Sequence, residues 1–279
     1  MKLQIFLDAQ GFGPGVVDGR RGEFTDKALD LYRQSKGLSP DWHPDLDGAE
    51  AYTTYEITAK DLSNFGGIPA EPAAVAKLEK LPYENLTELL GERFHTTRAF
   101  IRELNPGVNI DALQPGGSVR VPAIARPFRS DLYPSQYAPS SDAGKGRRVL
   151  VDTKYRMLQV FDGSRILAAF PITPGSPEHP ANPGELKVVG AVPWPWYRYD
   201  EGVLDRGERT ENFFNYPPGP NSPVGVLWTG LNRPGVGIHG TSNPETIGRA
   251  GSHGCIRLSN WDAAAFYTLV RKGMPVTIQ

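Results

Sequence analysis

Cys255 is the only cysteine in this 279-residue chain, and it stands in the run Ser252-His253-Gly254-Cys255-Ile256-Arg257, with Ile238-His239-Gly240-Thr241 a short way upstream. By composition alone a lone cysteine is most often a small buried hydrophobe. Its neighbours point to chemistry instead. A glycine directly before the thiol lets backbone or substrate approach closely, and either histidine can supply a base and lower the thiol pKa. A thiolate beside a histidine is the nucleophile of acyl transfer. The same residues leave a metal reading open, in which His239, His253 and Cys255 ligate a catalytic zinc and His179 or a water completes the tetrahedron. Against it, His253 and Cys255 are spaced more tightly than paired zinc ligands usually are, and no HExxH stretch is present.

The run from Pro223 to the C-terminus, PVGVLWTGLNRPGVGIHGTSNPETIGRAGSHGCIRLSNWDAAAFYTLVRKGMPVTI, resembles the catalytic domain of the L,D-transpeptidases of bacterial cell walls, the YkuD type. That family carries a His-Gly pair, a gap of about a dozen residues, then Ser/Thr-His-Gly-Cys with Arg or Asn two residues on, and a multi-part pattern of fixed spacing is specific. Further upstream, His179-Pro180-Ala181-Asn182-Pro183-Gly184 is similar to the family's HPTPxG turn, with Ala181 and Asn182 in place of its commoner residues. The resemblance implies that Cys255 is the nucleophile and His239 its base, with the Gly240 carbonyl orienting the imidazole. Under it His253 shapes the pocket, the amides of Gly254 and Cys255 bind the oxyanion, and Ser252 and Arg257 contact substrate. Spacing alone ranks neither histidine above the other as base, and Arg257 could equally serve a surface ion pair.

The implied reaction is attack on the L-centre carbonyl of diaminopimelate in a peptidoglycan tetrapeptide stem, release of D-alanine, and transfer of the acyl group to an amine of another stem. Water as acceptor would make the protein an L,D-carboxypeptidase. No metal and no organic cofactor is needed for this cycle. Two other classes stay open: a zinc-dependent peptidase, and a non-catalytic wall-binding protein in which the modules before the cysteine do the work.

Composition limits the partners. A net charge of -1 and the lack of a basic stripe give no reason to expect nucleic acid or an anionic membrane surface. No apolar run approaches the ~20 residues of a membrane span. The N-terminus, MKLQIFLDAQGFGPG, lacks the apolar core of an export signal. Because the substrate class implied is the cell wall, a periplasmic or other extracytoplasmic location is expected, with the export signal already removed, and a part in wall biogenesis and cell shape follows. Oligomeric state is not legible.

The elements that must position these residues fall into several units, and 31 glycines and 26 prolines favour turns and strands over long helices. Residues 1–40 read as a small all-α domain: Leu3, Phe6 and Leu7 share a helical face, Gly11 ends that helix, Thr25 N-caps a second, and Gly37 stops it. Its Asp18-Gly19-Arg20-Arg21-Gly22 and Thr25 match the DGxxG…T core of the small helical peptidoglycan-binding domains. Residues 50–124 read as β-α-α-β: a strand at Tyr55 and Ile57, a helix opened by Asn85 and Glu88, another opened by Thr97, and a strand at Val119 and Val121. With LNPGVN and LQPGGSVRVP this unit is similar to a LysM module, an α+β fold that binds glycan strands. An insertion from Thr58 to Pro82 departs from that family. Residues 125–147, poor in apolar side chains and rich in Ser, Pro and Gly toward their end, read as a linker. Residues 148–279 form the β-rich catalytic domain, with strands near 149–151, 158–161, 166–168 and 187–189 and one helix from Ser259 or Asn260 to Lys272. The aromatics Trp194, Trp196, Tyr197 and Tyr199 fit core packing better than a cleft lining. In this reading the N-terminal units hold the enzyme to the wall, and removing them would change turnover of a small soluble substrate little.

Overall fold

The computed structural model describes residues 1–63, 65–139, 146–175, 180–249 and 254–279, and within these it leaves out the side chains of 204–206. Helix α1 covers Lys2–Ala9 and helix α2 covers Glu23–Lys36. The loop between them is held by Gln4, whose side-chain amide donates to the Val16 and Arg20 carbonyls while its oxygen accepts from the Gly19 amide at 2.8 Å. Asp18 accepts from the Arg20 amide at 2.9 Å, so the Asp-Gly-Arg motif is engaged in building its own turn. The cap of α2 differs from expectation. Gly22, not Thr25, precedes the first helical residue, and Thr25 lies inside the helix with its side chain buried. Glu23 and Asp26 supply the negative charge that favours a helix start, and Gly37 closes the helix at φ 63°, where a side chain would be strained.

The next unit has the two strands and two helices expected and adds a short helix between the first strand and the first of them. Strand β1 (Tyr52–Glu56) leads into a short helix α3 (Pro72–Val75), then α4 (Leu86–Arg93), α5 (Arg98–Leu104) and β2 (Ser118–Pro122), which pairs antiparallel with β1. Asn85 caps α4 through the Glu88 amide at 2.9 Å, and Thr97 caps α5 through the Phe100 amide at 3.0 Å. Ile57, Leu86, Leu90, Ile101, Val119 and Val121 form its core. Between α4 and α5, His95, at φ 53°, is the residue that reaches outside the unit.

The segment expected to be a loose linker behaves otherwise over 125–139. Phe128 and Tyr133 are buried in the core of the catalytic unit, and Tyr133 packs edge-on against Trp194 and Tyr267 at 5.5 and 5.7 Å. Aromatic burial outweighs the polar composition there. Residues 140–145 lie outside the described part.

From Arg147 the chain builds β3 (Arg147–Asp152), β4 (Met157–Asp162), β5 (Arg165–Pro171), β6 (Gly184–Pro193), β7 (Tyr197–Asp200), α6 (Glu201–Arg206), β8 (Phe213–Tyr216), β9 (Leu227–Leu231), β10 (Gly237–His239), β11 (Ile256–Arg257), α7 (Asn260–Tyr267) and β12 (Pro275–Ile278). Eight of these strands form one curled sheet in the order β11-β10-β9-β6-β12-β3-β4-β5, while β7 and β8 make a separate hairpin. Strand β6 turns the sheet: Gly184–Lys187 pair with β12 and Val188–Pro193 with β9, the latter with a register shift between Val188 and Gly190. Helix α7 is shorter than expected. Thr268 Oγ1 bonds back to the Ala265 carbonyl at 2.7 Å, and the chain then bends so that Val270 and Met274 enter the core.

These units are not strung apart. Leu7, Phe12, Ala28 and Leu29 share one core with Met157, Phe161, Ile166 and Ala169 of β4 and β5. His95 stacks on Trp261 of α7 at 5.3 Å while its Nδ1 lies 2.8 Å from Asp8, so one residue joins all three parts. The insertion from Thr58 to Pro82 packs through Val75 and Leu81 on Tyr216, with Tyr197, Tyr199 and Phe214 of the hairpin around them. Its Leu81 amide donates to Pro218 at 2.9 Å, and the Asn221 side chain donates to Pro82 at 2.8 Å.

Candidate active site

Strands β10 and β11 run parallel, with Ile238 opposite Ile256 and His239 opposite Arg257. Alternation along a strand sends neighbouring side chains to opposite faces. Both isoleucines are fully buried in the core. It follows that His239 and Arg257, with Cys255 one step before β11, share the other face. Parallel register is therefore what brings two motifs together that lie sixteen residues apart in sequence.

Each member of that face is fixed. His239 is buried, its Nδ1 lies 2.6 Å from the Gly240 carbonyl oxygen, and its ring stacks on Trp228 of β9 at 5.5 Å. Since a carbonyl only accepts, Nδ1 carries the hydrogen and Nε2 is left as the basic nitrogen. Burial pushes the imidazole down to about 4, against the opposing pull of the Gly240 hydrogen bond, with the nearby Arg257 charge adding to the fall. Gly237 is required beneath this stack, because a Cβ there would lie 2.6 Å from the Trp228 ring.

Cys255 Sγ donates to the Gly235 carbonyl oxygen at 3.3 Å. Burial pushes the thiol up, and the Gly237 backbone and the Arg257 charge only partly offset that. Gly254, at φ 90°, adopts a conformation that glycine alone takes without strain and presents its amide just before the thiol. Arg257 is held at its backbone by a two-way bond with Thr173, at 2.9 and 3.0 Å, and burial lowers its pKa. Tyr197 of the β7–β8 hairpin stands close enough to Arg257 and Cys255 to feel their charges. This arrangement offers a thiol, a neutral imidazole with a free basic nitrogen, backbone amides and a guanidinium: the parts of acyl transfer to and from an amide carbonyl.

Residues 146–278 match the family model of the L,D-transpeptidase catalytic domain, YkuD. Among curated proteins the YkuD protein of Bacillus licheniformis is 30% identical over 197 residues, covering 71% of this chain and 94% of that protein. The YkuD protein of Bacillus subtilis is 26% identical over 185 residues, covering 66% and 88%. This chain belongs to the YkuD family of L,D-transpeptidases. A solved L,D-transpeptidase from Mycobacterium smegmatis is 21% identical with TM-score 0.39, covering 48% of this chain and 58% of that one. An Enterococcus faecium L,D-transpeptidase is 20% identical with TM-score 0.37, covering 48% and 50%. This chain thus spans about half the length of those solved chains.

In this L,D-transpeptidase the described site brings Cys255, His239, Gly240, Gly254 and Arg257 together. Ser252, His253 and His179 lie outside the described residues. Among the described residues no group of three His, Cys, Asp or Glu side chains is placed to hold a metal ion, and no helix is long and apolar enough to cross a membrane. The aromatic cluster divides: Trp194 packs on the core and donates to the Tyr133 carbonyl, Trp196 is exposed, and Tyr197 is near enough to the thiol to feel its charge. Sequence reading missed Trp228, Gly237 and Asn260. Alternation in Leu227-Trp228-Thr229 marks a strand residue, but only strand pairing shows that Trp228 faces His239. Gly248 is also gripped from afar: Arg156 donates to its carbonyl at 2.6 Å and pairs with Glu23 of α2, and Phe24 fills the space a side chain at 248 would need.

Proposed function

We propose that this protein is a cysteine-dependent L,D-transpeptidase acting on peptidoglycan stems. The observation that carries the reading is that His239 and Cys255 share the face of one parallel strand pair opposite Ile238 and Ile256, with the imidazole tautomer set by Gly240. Cys255 Sγ attacks the L-centre carbonyl of diaminopimelate in a tetrapeptide stem, and its proton passes to His239 Nε2. The oxyanion that forms is held by the amides of Gly254 and Cys255. Collapse breaks the amide bond, and the D-alanine amine leaves with the proton from His239. A thioester remains, and an amine of a second stem attacks it, returns a proton through His239 and frees the thiol. Arg257, with Ser252, binds the stem, the guanidinium holding a carboxylate. His253 shapes the pocket.

The N-terminal units fit a wall-bound enzyme. Residues 1–40 resemble a peptidoglycan-binding domain and 50–124 a LysM module, so glycan strands are the partners we assign to them, and an extracytoplasmic location goes with that substrate. Water in place of the acceptor amine would give L,D-carboxypeptidase activity from the same thioester. Mass spectrometry of products from purified muropeptides separates crosslinked dimers from shortened stems. Cys255→Ala is expected to abolish both products and the acyl-enzyme mass, with stability changed by less than about 1 kcal/mol because a small group is removed. Turnover by Cys255→Ala, or turnover abolished by a chelator, overturns the cysteine reading.

A further inference from the structure

Glu92, at the end of α4 in the second unit, is 7% exposed, and both of its oxygens are used. Tyr83 Oη lies 2.6 Å from Oε1, and Asn260 Nδ2 donates to Oε2 at 2.9 Å. Asn260 opens α7 and is fully buried. Its Nδ2 also donates to the Pro220 carbonyl at 3.0 Å, and its Oδ1 accepts from the Val226 amide at 3.1 Å. That same Oδ1 presses on the backbone just after His239: a Cβ on Gly240 would lie 2.3 Å from it, and one on Gly225 would lie 2.0 Å away. The Gly225 Cβ would also meet the Gly240 carbonyl carbon and the Thr241 nitrogen at 2.6 Å. Asn260, Gly225 and the Gly240–Thr241 peptide are thus in a contact that only missing side chains permit. The Gly240 carbonyl in turn holds His239 Nδ1.

We propose that Glu92 is a positioning residue for transpeptidation: it fixes the Asn260 carboxamide, which seats the Gly240 peptide and so sets the His239 ring. This rests on His239 acting as the base. The second unit would then be a working part of the active site in addition to any role in wall binding. Without Glu92 the Asn260 amide keeps one acceptor, and a cavity opens on the side from which it is held. The contact tolerates no drift, and small misplacements of a catalytic group cost much rate. Tyr83 Oη donates to Oε1 and Asn260 Nδ2 donates to Oε2, while burial pushes the carboxyl up to about 8. Glutamine fills the same space and keeps an oxygen to accept from Asn260, and the Tyr83 hydroxyl can turn to accept from its amide.

The test uses the full chain and reads kcat and KM for a soluble tetrapeptide, thermal stability, and the pH dependence of Cys255 alkylation by iodoacetamide. Glu92→Ala is expected to lower kcat on the order of tenfold with KM changed less than about twofold, and to shift the alkylation profile. Glu92→Gln restores kcat and the profile. Ile110→Ala, a core truncation in the same unit, lowers the melting temperature but leaves kcat and the profile at wild-type values. Should Glu92→Ala be insoluble, Glu92→Met carries the same test, since it fills the space and accepts no such hydrogen bond. A folded Glu92→Ala or Glu92→Met with wild-type kcat and alkylation overturns the proposal, as does an Ile110→Ala that loses kcat in parallel. Cys255→Ala in the same assays keeps the two readings apart: if it turns over, the acyl-transfer reading itself falls, and if it is inert while the Glu92 variants behave as wild type, only the positioning role falls.

Discussion

His239 and Cys255 rest as a neutral pair. Burial lowers the imidazole to about 4 and raises the thiol, so at pH 7 neither group is charged. This departs from the sequence expectation of a thiol whose pKa is lowered by its histidine, for an uncharged ring gives no Coulombic help. In the proposed cycle, proton transfer to His239 then accompanies attack instead of preceding it. The base works while it is deprotonated, so kcat/KM should hold its plateau down to about pH 4 and fall below it, where an exposed histidine would fail below about 6.5. Trp228→Ala uncovers the ring and should move that acid limb up toward 6.5, whereas Trp228→Phe keeps a stacked aromatic and should move it little. An unmoved limb in a folded Trp228→Ala would show that desolvation by Trp228 does not set the imidazole pKa.

Among the elements, the insertion between β1 and α4 gains a physical account. Val75 and Leu81 of the insertion pack on the β7–β8 hairpin, whose Tyr197 is near enough to Cys255 to feel its charge. Tyr199 and Tyr216 stack at 5.0 Å beneath it. Gly219 makes the join possible, since a Cβ there would lie 1.9 Å from the Leu81 carbonyl oxygen. Gly219→Ala should therefore part the insertion from the hairpin and destabilise the protein by about 1–3 kcal/mol, the usual cost of overpacking. Turnover should fall more than stability alone explains, because Tyr197 moves with the hairpin. Melting temperature and kcat/KM measured together check this, and an unchanged melting temperature would refute the join.

At the scale of the whole molecule the three parts share buried surface, which reverses the expectation that the N-terminal half can be removed with little effect on soluble turnover. Deleting residues before Arg126 would strip Leu7, Phe12 and Leu29 from β4 and β5 and expose Met157 and Ala169, both fully buried in the intact chain. It would also remove Glu23 and Phe24 from Arg156 and Gly248. Exposed apolar patches of this kind favour aggregation. The truncated chain is expected to be insoluble or to melt well below the full-length protein, with turnover of a soluble tetrapeptide reduced. A monomeric, fully active 126–279 fragment would show that the shared cores are dispensable.

What the sequence determined by itself was local chemistry and local structure. The Ser-His-Gly-Cys and His-Gly runs mark the proposed reacting groups because nucleophile, base and amide donors must be of those types, and Asn85, Thr97 and Gly37 mark helix ends because capping is satisfied within a few residues. The β-rich character of the C-terminal half was legible for the same reason: period-two alternation is a local pattern. Tertiary structure alone decided that His239 and Cys255 share a face, that Trp228 stacks on the imidazole, that Leu81 packs on the hairpin and that Glu92 reaches Asn260. Each joins residues far apart in the chain, and strand register and desolvation depend on which surfaces meet, a property that no short window of residues contains.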